Sequence, residues 1–228
     1  MALERRYSTG FALLLAAVAV LGPAARSAGL DAQQSDLSLD ELQRLSHGEL
    51  VERRMTRERG DLRLMGGTSW QVIKASPDVV WKALLDTPYY PRMLPALSEA
   101  KVISETGPTR TLFMRHGTGI AQTSYFLDVK LDHRRREMSF RVDPTRPHGI
   151  RAAFGFYTAR PYVGGRTLLV YGVMADIGDG LGSALLRGSV HEWMMKVPWM
   201  VKRFVEGSGR YLYTRADGVQ PVVASATQ

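Results

Sequence analysis

Three tyrosines in the C-terminal half of the chain could hydrogen-bond a ligand inside an apolar site. Tyr125, Tyr157 and Tyr171 each stand within a strand-like segment, at a position that could face inward. Both faces of residues 110–116 and 166–175 are fairly apolar, so the sequence does not fix which face of these two strands points inward. Their hydroxyls could bond to a carbonyl or hydroxyl group of a ligand. They could equally be core tyrosines whose hydroxyls bond to the protein, as buried hydroxyls usually do.

Arg115 and His116 offer a further polar position because they are consecutive near the end of a predicted strand. One of two consecutive strand residues points inward. An inward Arg115 would need an anionic partner, which would favour a ligand with an acidic head group. For an enzyme, the only reasonable general acid or base groups are His116, Tyr125 and Tyr157.

Signatures of other chemistries are missing from the sequence. It contains no G-x-S-x-G elbow, no Walker loop and no H-E-x-x-H pair. The five histidines include no pair at i, i+3 or i, i+4, and there is no cysteine. We therefore expect no metal site, no cofactor, no disulfide and no cysteine nucleophile.

The chain is basic, with a formal net charge of +8. Residues 1–27 contribute Arg5, Arg6, Arg26 and Glu4, so the remainder has 27 basic and 21 acidic residues, a charge of +6. The basic residues are dispersed and do not form the stripe with aromatics that nucleic-acid binding needs, so we expect no nucleic-acid partner. A solvated charged surface explains the charge, and transient contact with anionic membrane surfaces is a further expectation.

Both ends of the chain have the composition of non-globular segments. A charged start, an apolar run at residues 10–21 and small residues around Ser27 predict a secretory signal peptide over residues 1–27, and hence export to the periplasm or the cell exterior. An uncleaved membrane anchor is the alternative, for which the run is short. Residues 28–48 are predicted to be a linker and a short helix with a Ser38–Glu41 capping box. Residues 214–228 are predicted to be a disordered tail.

The stretch ASPDVVWKALLDTPYYPRMLP, at residues 75–95, predicts two short helices. Ser76 is a good N-cap and Pro77 a good first helical residue. Pro88 ends the first helix because the residue before a proline avoids helical geometry. Residues 89–94 can form one more helical turn. Before this stretch, residues 49–57 and 63–74 predict a β-hairpin.

The rest of the chain predicts an antiparallel meander followed by one long helix. The strand-like segments are residues 98–105, 110–116, 119–132, 136–143, 150–160 and 166–176, and short connections join them. Residues 181–211 then form a helix with an apolar residue at every third or fourth position. Pro198 is expected to kink this helix.

This order of elements resembles the START-like (helix-grip, SRPBCC) superfamily, and particularly its coenzyme-Q-binding and polyketide-cyclase branch. Three places carry the resemblance: the paired short helices in SPDVVWKALLDTPYYPRMLP, the hairpin in GFYTARPYVGGRTLLVYGV, and the final helix ending VKRFVE. The resemblance covers residues 49–213. It implies an α+β fold in which a curved antiparallel sheet wraps around a long C-terminal helix, with two short helices after the second strand.

The resemblance also implies a cavity between the sheet and the C-terminal helix. Its expected occupant is a hydrophobic small molecule or a lipid-like or quinone-like ligand, held by an exported carrier or chaperone. The alternatives are a polyketide cyclase or dehydratase using the same cavity, and a structural protein whose own side chains fill it. The residues expected to line the cavity, each of which could instead be core packing, are Trp81, Tyr90, Met114, Tyr125, Phe140, Tyr157, Tyr171, Val190, Trp193, Met194 and Val197.

Overall fold

The computed structural model describes residues 37–117, 122–178 and 184–214. The chain divides into two units, Met1–Leu42 and Gln43–Gln228. The predicted signal peptide and nearly all of the predicted tail lie outside the described residues. Within the first unit, Ser38 and Glu41 form the predicted capping box at the start of helix α1 (Leu39–Ser46). The Ser38 N–H donates to Glu41 Oε2 at 2.7 Å, and the Glu41 N–H donates to Ser38 Oγ at 3.2 Å.

The second unit begins its sheet with the predicted hairpin, β1 (Val51–Arg59) and β2 (Leu62–Ile73), paired antiparallel without a bulge. Two short helices follow β2, as predicted: α2 (Pro77–Leu85) and, after a 3-10 turn (Thr87–Tyr89), α3 (Tyr90–Met93). Ser76 caps α2 by accepting a hydrogen bond from the Val79 N–H at 3.4 Å.

The remaining strands form the predicted meander. They are β3 (Leu97–Thr106), β4 (Thr109–His116), β5 (Thr123–Asp132), β6 (Glu137–Val142), β7 (Ala152–Tyr162) and β8 (Arg166–Asp176). Among the described residues, all eight strands form one antiparallel sheet in the order β1-β2-β8-β7-β6-β5-β4-β3. The first hairpin is therefore joined to the end of the meander, so that β2 and β8 lie in the middle of one half of the sheet.

Glycines allow the backbone to pack closely in that half of the sheet. Gly67 on β2 has a φ of +143°, and a Cβ there would lie 2.0 Å from the Arg53 carbonyl oxygen. A Cβ at Gly155 on β7 would lie 2.2 Å from the Gly172 carbonyl oxygen and 2.5 Å from the Phe140 ring. A larger residue at either position would push neighbouring strands or rings apart.

The C-terminal helix is divided by a break near its proline. Helix α4 (Ala184–Met195) ends at Lys196, and α5 (Val197–Glu206) follows it, before a short α6 (Arg210–Thr214). The Lys196 N–H is shared between the carbonyls of Glu192 and Trp193, at 3.2 and 3.1 Å. Pro198 has no N–H to donate to the preceding turn, so the expected kink occurs as a break two residues before it.

The core lies between the inner face of the sheet and the helices. Helix α5 packs against β2, β8, α2 and α3, whereas α4 packs mainly against β2. Ser69 on β2 fixes the helix break to the sheet, because its buried hydroxyl donates to the Met195 carbonyl at 2.7 Å. The fully buried side chains of this core include Ile73, Val80, Leu84, Leu97, Val129, Leu169 and Met195.

Candidate functional site

Three predicted site residues form an aromatic cluster on the inner face of β6, β7 and β8. Tyr157 lies opposite Tyr171 in the β7–β8 register, and their ring centroids are 4.6 Å apart. Phe140 on β6 lies opposite Gly155, and its ring is 5.8 Å from that of Tyr157 and 6.3 Å from that of Tyr171. Since Gly155 has no side chain, the Phe140 ring can occupy the space in front of it.

A second cluster joins β4 and β5 to helix α4. His116 Nε2 and the Tyr125 hydroxyl are 2.7 Å apart, and the two rings stack with centroids at 5.5 Å. The ring of Trp193, from α4, meets His116 edge-on at 5.4 Å. The inward partner in the Arg115–His116 pair is therefore the histidine. His116, which the sequence analysis names as a possible general acid or base, contacts both Tyr125 and Trp193.

Several of these inward residues keep exposed surface. Phe140, Tyr157, Tyr125, Val190 and Trp193 pack against the core but are only half-buried. Side chains between a sheet and a helix become fully buried when the two layers close on each other, as Ile73 and Met195 do. Their remaining exposure shows that α4 does not cover them completely.

The His116, Tyr125, Tyr157 and Tyr171 side chains of the two clusters are uncharged near neutral pH. Burial lowers the pKa of His116 to about 4, and a hydrogen bond to the Ala96 carbonyl only partly opposes this effect. Burial is also the largest cause of the raised pKa values of Tyr125, Tyr157 and Tyr171. In each case removal from water disfavours the charged form. The site therefore offers neutral hydrogen-bonding groups on apolar walls.

The other predicted lining residues lie deeper in the protein. Trp81 is buried and its Nε1–H donates to His133 Nδ1 at 3.4 Å, while the Tyr90 hydroxyl donates to the Leu84 carbonyl at 2.5 Å. Met114, Met194 and Val197 are buried members of the core. Ligand contact by any of the predicted residues stays a prediction.

The structure places the two arginines of β4 differently from the sequence hypothesis. Arg115 does not point inward, because its Nη1 pairs with Glu99 Oε2 at 2.6 Å on the outer side of the strand. Arg110 shares the face of His116 and was missed. Its Nη1 donates to the Leu85 carbonyl at 2.9 Å and its Nε lies 2.9 Å from Glu105 Oε1. Counting back from His116 in steps of two would have found Arg110.

No helix among the described residues has the length and apolar character needed to cross a membrane. In the same part of the chain no three His, Asp or Glu side chains are grouped in a way that could hold a metal ion. A surface groove of about 490 Å³ contains none of the predicted site residues and is lined by Gly48, Glu49, Leu50, Lys196 and Trp199.

This chain belongs to the family described as polyketide cyclase / dehydrase and lipid transport, whose model matches residues 46–216. A comparison with curated proteins found no match.

Solved structures show the same fold at low identity. TTHA0849 from Thermus thermophilus is 16% identical, with a TM-score of 0.54 over 65% of this chain and 98% of that one. A STAR-related lipid transfer protein from Xanthomonas axonopodis is 14% identical, with a TM-score of 0.53 over 68% and 99%. A START superfamily protein from Mycobacterium smegmatis is 11% identical, with a TM-score of 0.51 over 61% and 95%.

The START-like helix-grip fold expected from the sequence is confirmed. Membership of this family and the fold point to binding of hydrophobic small molecules or lipids, or to cyclase activity.

Proposed function

We propose that this protein holds a lipid-like or quinone-like molecule between its sheet and helix α4, as a carrier or chaperone that performs no covalent chemistry. The observation that carries the proposal is the group of half-buried aromatic side chains on the inner face, Phe140, Tyr157 and Tyr125, opposite Trp193. Rings that are fixed by the sheet but not covered by the helix provide a preformed apolar surface.

Removal of apolar surface from water would drive the binding. A ligand that buries about 300 Å² of apolar surface gains roughly 7 kcal/mol before the cost of ordering ligand and protein is subtracted. The inward rings are already held by stacking with centroids 4.6–6.3 Å apart, so little ordering of the protein is needed.

A cyclase or dehydratase acting in the same space is the second candidate function. The hydrogen-bonded His116 and Tyr125, 2.7 Å apart beside the aromatic rings, favour it, since an enzyme needs a polar pair within reach of its substrate. The lowered pKa of His116 and the raised pKa of Tyr125 weigh against it, because a general acid or base works best with a pKa near the operating pH.

The proposal also includes export and contact with membranes, and both rest on the sequence. The signal-like order of residues 1–27 would direct the chain out of the cytoplasm. The charge of +6 on the remaining residues would bring it to anionic membranes, from which a carrier could load its ligand.

The first test is to express the full-length gene in a bacterium and isolate the exported protein. Its organic extract is then analysed by mass spectrometry, and its N-terminus is sequenced. We expect a stoichiometric lipid or quinone in the extract and an N-terminus near Ala28. An empty extract, together with no uptake of added lipid or quinone, would overturn the carrier proposal. An intact N-terminus would contradict the predicted cleavage near Ser27 but not the carrier function.

A pair of tryptophan variants makes this test specific to the site. Trp193→Ala removes a half-buried ring that contacts His116, and we expect it to lower the amount of bound lipid severalfold. Trp199→Ala removes an exposed ring stacked on Arg203, 4.8 Å from its guanidinium carbon, and should leave the bound lipid unchanged. Equal losses in both variants would place the lipid elsewhere.

The enzyme alternative needs a separate measurement. The purified protein is incubated with a panel of polyketide-like substrates and the products are separated by liquid chromatography. Turnover that is lost in Tyr157→Phe would favour the cyclase, and absence of turnover across the panel would count against it.

A further inference from the structure

Three arginines of the edge strand β1 lie on the outer face of the sheet. Two contacts on β2 distinguish the faces. The Ser69 hydroxyl bonds to a backbone carbonyl of α4 on the inner side, whereas the next residue, Trp70, lies under the guanidinium of Arg53, 5.7 Å from its ring centroid. Arg53 is therefore on the outer face, and alternation places Arg57 and Arg59 there too. All three arginines are exposed.

The carboxylates of these strands do not share the exposed outer surface. Glu52 and Glu58 occupy the alternate positions of β1, on its other face. Among the described residues at outward positions of β1, β2, β8 and β7 there is one carboxylate, Asp176. It is buried and accepts hydrogen bonds from the N–H groups of Arg63 and Gly178, both at 2.9 Å. Charge that only kept other strands from pairing with the open edge would not need this sorting between faces.

Exposed apolar side chains lie beside the arginines. The strand register aligns Met55, Gly66, Met174 and Phe154 in one row across β1, β2, β8 and β7. Met55 is 55% exposed and Phe154 is 42% exposed. The row covers three strand spacings, or roughly 14 Å. This surface is called the outer patch below, and it consists of Arg53, Met55, Arg57, Arg59, Phe154 and Met174.

We propose that the outer patch docks the protein on a membrane surface rich in anionic lipids. The arginines would lie against the lipid phosphates, and Met55 and Phe154 would enter the boundary between head groups and acyl chains. An acidic peptide would satisfy the arginines alone, whereas a lipid surface takes up both the charge and the exposed apolar side chains.

This inference rests on the part of the proposed function that includes contact with membranes, and it names the surface that makes the contact. Strand β1 pairs with β2, and α4 packs mainly against β2. Docking through β1 would therefore hold the helix that borders the aromatic clusters close to the lipid. A carrier needs such an arrangement to load its ligand.

The test measures co-sedimentation of the purified full-length protein with vesicles. One preparation contains phosphatidylcholine alone, and the other contains phosphatidylcholine with one-third phosphatidylglycerol. We expect binding to the anionic vesicles only. Each arginine near such a surface contributes about fivefold in affinity, so the double variant Arg57→Gln/Arg59→Gln should bind at least tenfold more weakly.

A matched control loses the same charge elsewhere. Arg134→Gln/Arg135→Gln changes two exposed arginines of the turn between β5 and β6 and should weaken binding by no more than about twofold. Residues 1–27 are common to all variants, so their own affinity for lipid cancels in the comparison. Equal losses in the two double variants would show that the vesicles sense only the net charge, and this would overturn the outer patch while leaving membrane contact and the carrier function standing.

A second pair of variants tests the apolar side chains. Met55→Ser/Phe154→Ser should bind anionic vesicles at least fivefold more weakly, whereas Val102→Ser/Val163→Ser, at exposed positions outside the outer patch, should bind like the wild type. Unchanged vesicle binding in Met55→Ser/Phe154→Ser, with equally tight arginine-dependent binding of poly-glutamate, would identify an acidic partner and overturn the proposal.

The absence of any preference for anionic vesicles would overturn both the outer patch and the expected membrane contact. The carrier function would not be affected, because the mass spectrum of the organic extract decides it separately. Circular dichroism establishes that each variant is folded. If Met55→Ser/Phe154→Ser fails to fold, the two arginine variants alone decide.

Discussion

Acidification should weaken the fold through His116, and the size of the effect follows from its surroundings. In the unfolded chain a histidine has a pKa of about 6.5, whereas burial lowers the pKa of folded His116 to about 4. Between these values the unfolded state binds more protons than the folded state, so stability falls as the pH falls. Above about pH 7.5 His116 is neutral in both states and contributes almost no pH dependence.

The two pKa values predict a loss of about 2.5 kcal/mol in the free energy of unfolding between about pH 7.5 and about pH 4.5. Protonation would also place a proton on both ring nitrogens of His116, so that Nε2 could only donate to the Tyr125 oxygen. The carboxyls of Asp143, Glu99 and Glu192 have pKa values held below their usual range by hydrogen bonds from Thr145, Lys101 and Lys196. The stability that they contribute is present above the unfolded pKa and is lost at lower pH, mostly below this window.

The assay is urea unfolding at the two ends of this pH window, followed by tryptophan fluorescence, for the wild type and His116→Gln. The glutamine keeps a polar group near Nε2 but does not titrate, so its loss on acidification should be smaller than that of the wild type by about 2.5 kcal/mol. His47→Gln, at an exposed position, should retain the wild-type loss. Equal losses in the wild type and His116→Gln would refute the reasoning.

Three further substitutions test the packing that supports the site. Gly155→Ala places a Cβ 2.5 Å from the Phe140 ring and should cost about 1–3 kcal/mol of stability, measured by thermal unfolding. Ser69→Ala removes the buried hydroxyl that bonds to the Met195 carbonyl and should cost about 1–2 kcal/mol in urea unfolding. Trp199→Ala alters an exposed ring, so its free energy of unfolding should change by less than about 0.5 kcal/mol, and a larger loss would mean that the helix break depends on this ring.

The fold was predictable because its elements are marked by local chemistry. The Ser38–Glu41 capping box, the Ser76 N-cap and the alternation along β5 all formed as expected. These signals depend on neighbours within a few residues, and a sequence displays them directly. The pairing of β2 with β8 joins segments about a hundred residues apart, and no local signal in the sequence indicates it.

The site was predictable in its residue types but not in its contacts. Tyr125, Tyr157 and Tyr171 were candidates for the inner face, yet the sequence could not fix the inward face of the strand carrying Tyr171 or show that Tyr125 bonds to His116. That contact depends on the register between β4 and β5, in which His116 pairs with Thr123 and Arg115 with Ser124. A shift of one residue would have turned Arg115 inward instead.

The helix break at Lys196 divides one regular apolar pattern between two helices, α4 and α5, which have different neighbours. Val190 and Trp193 in α4 and Val201 and Phe204 in α5 belong to the same three- and four-residue periodicity. Helix α5 is enclosed by β2, β8, α2 and α3, and its Val201 and Phe204 are buried, although Met200 is only partly buried. Helix α4 lies mainly on β2, and its Val190 and Trp193 stay half-buried although Met194 and Met195 are buried. What lies opposite each half of the helix therefore decides how far its apolar side chains are covered. Substitutions in α5 should act first on stability and those in α4 first on binding.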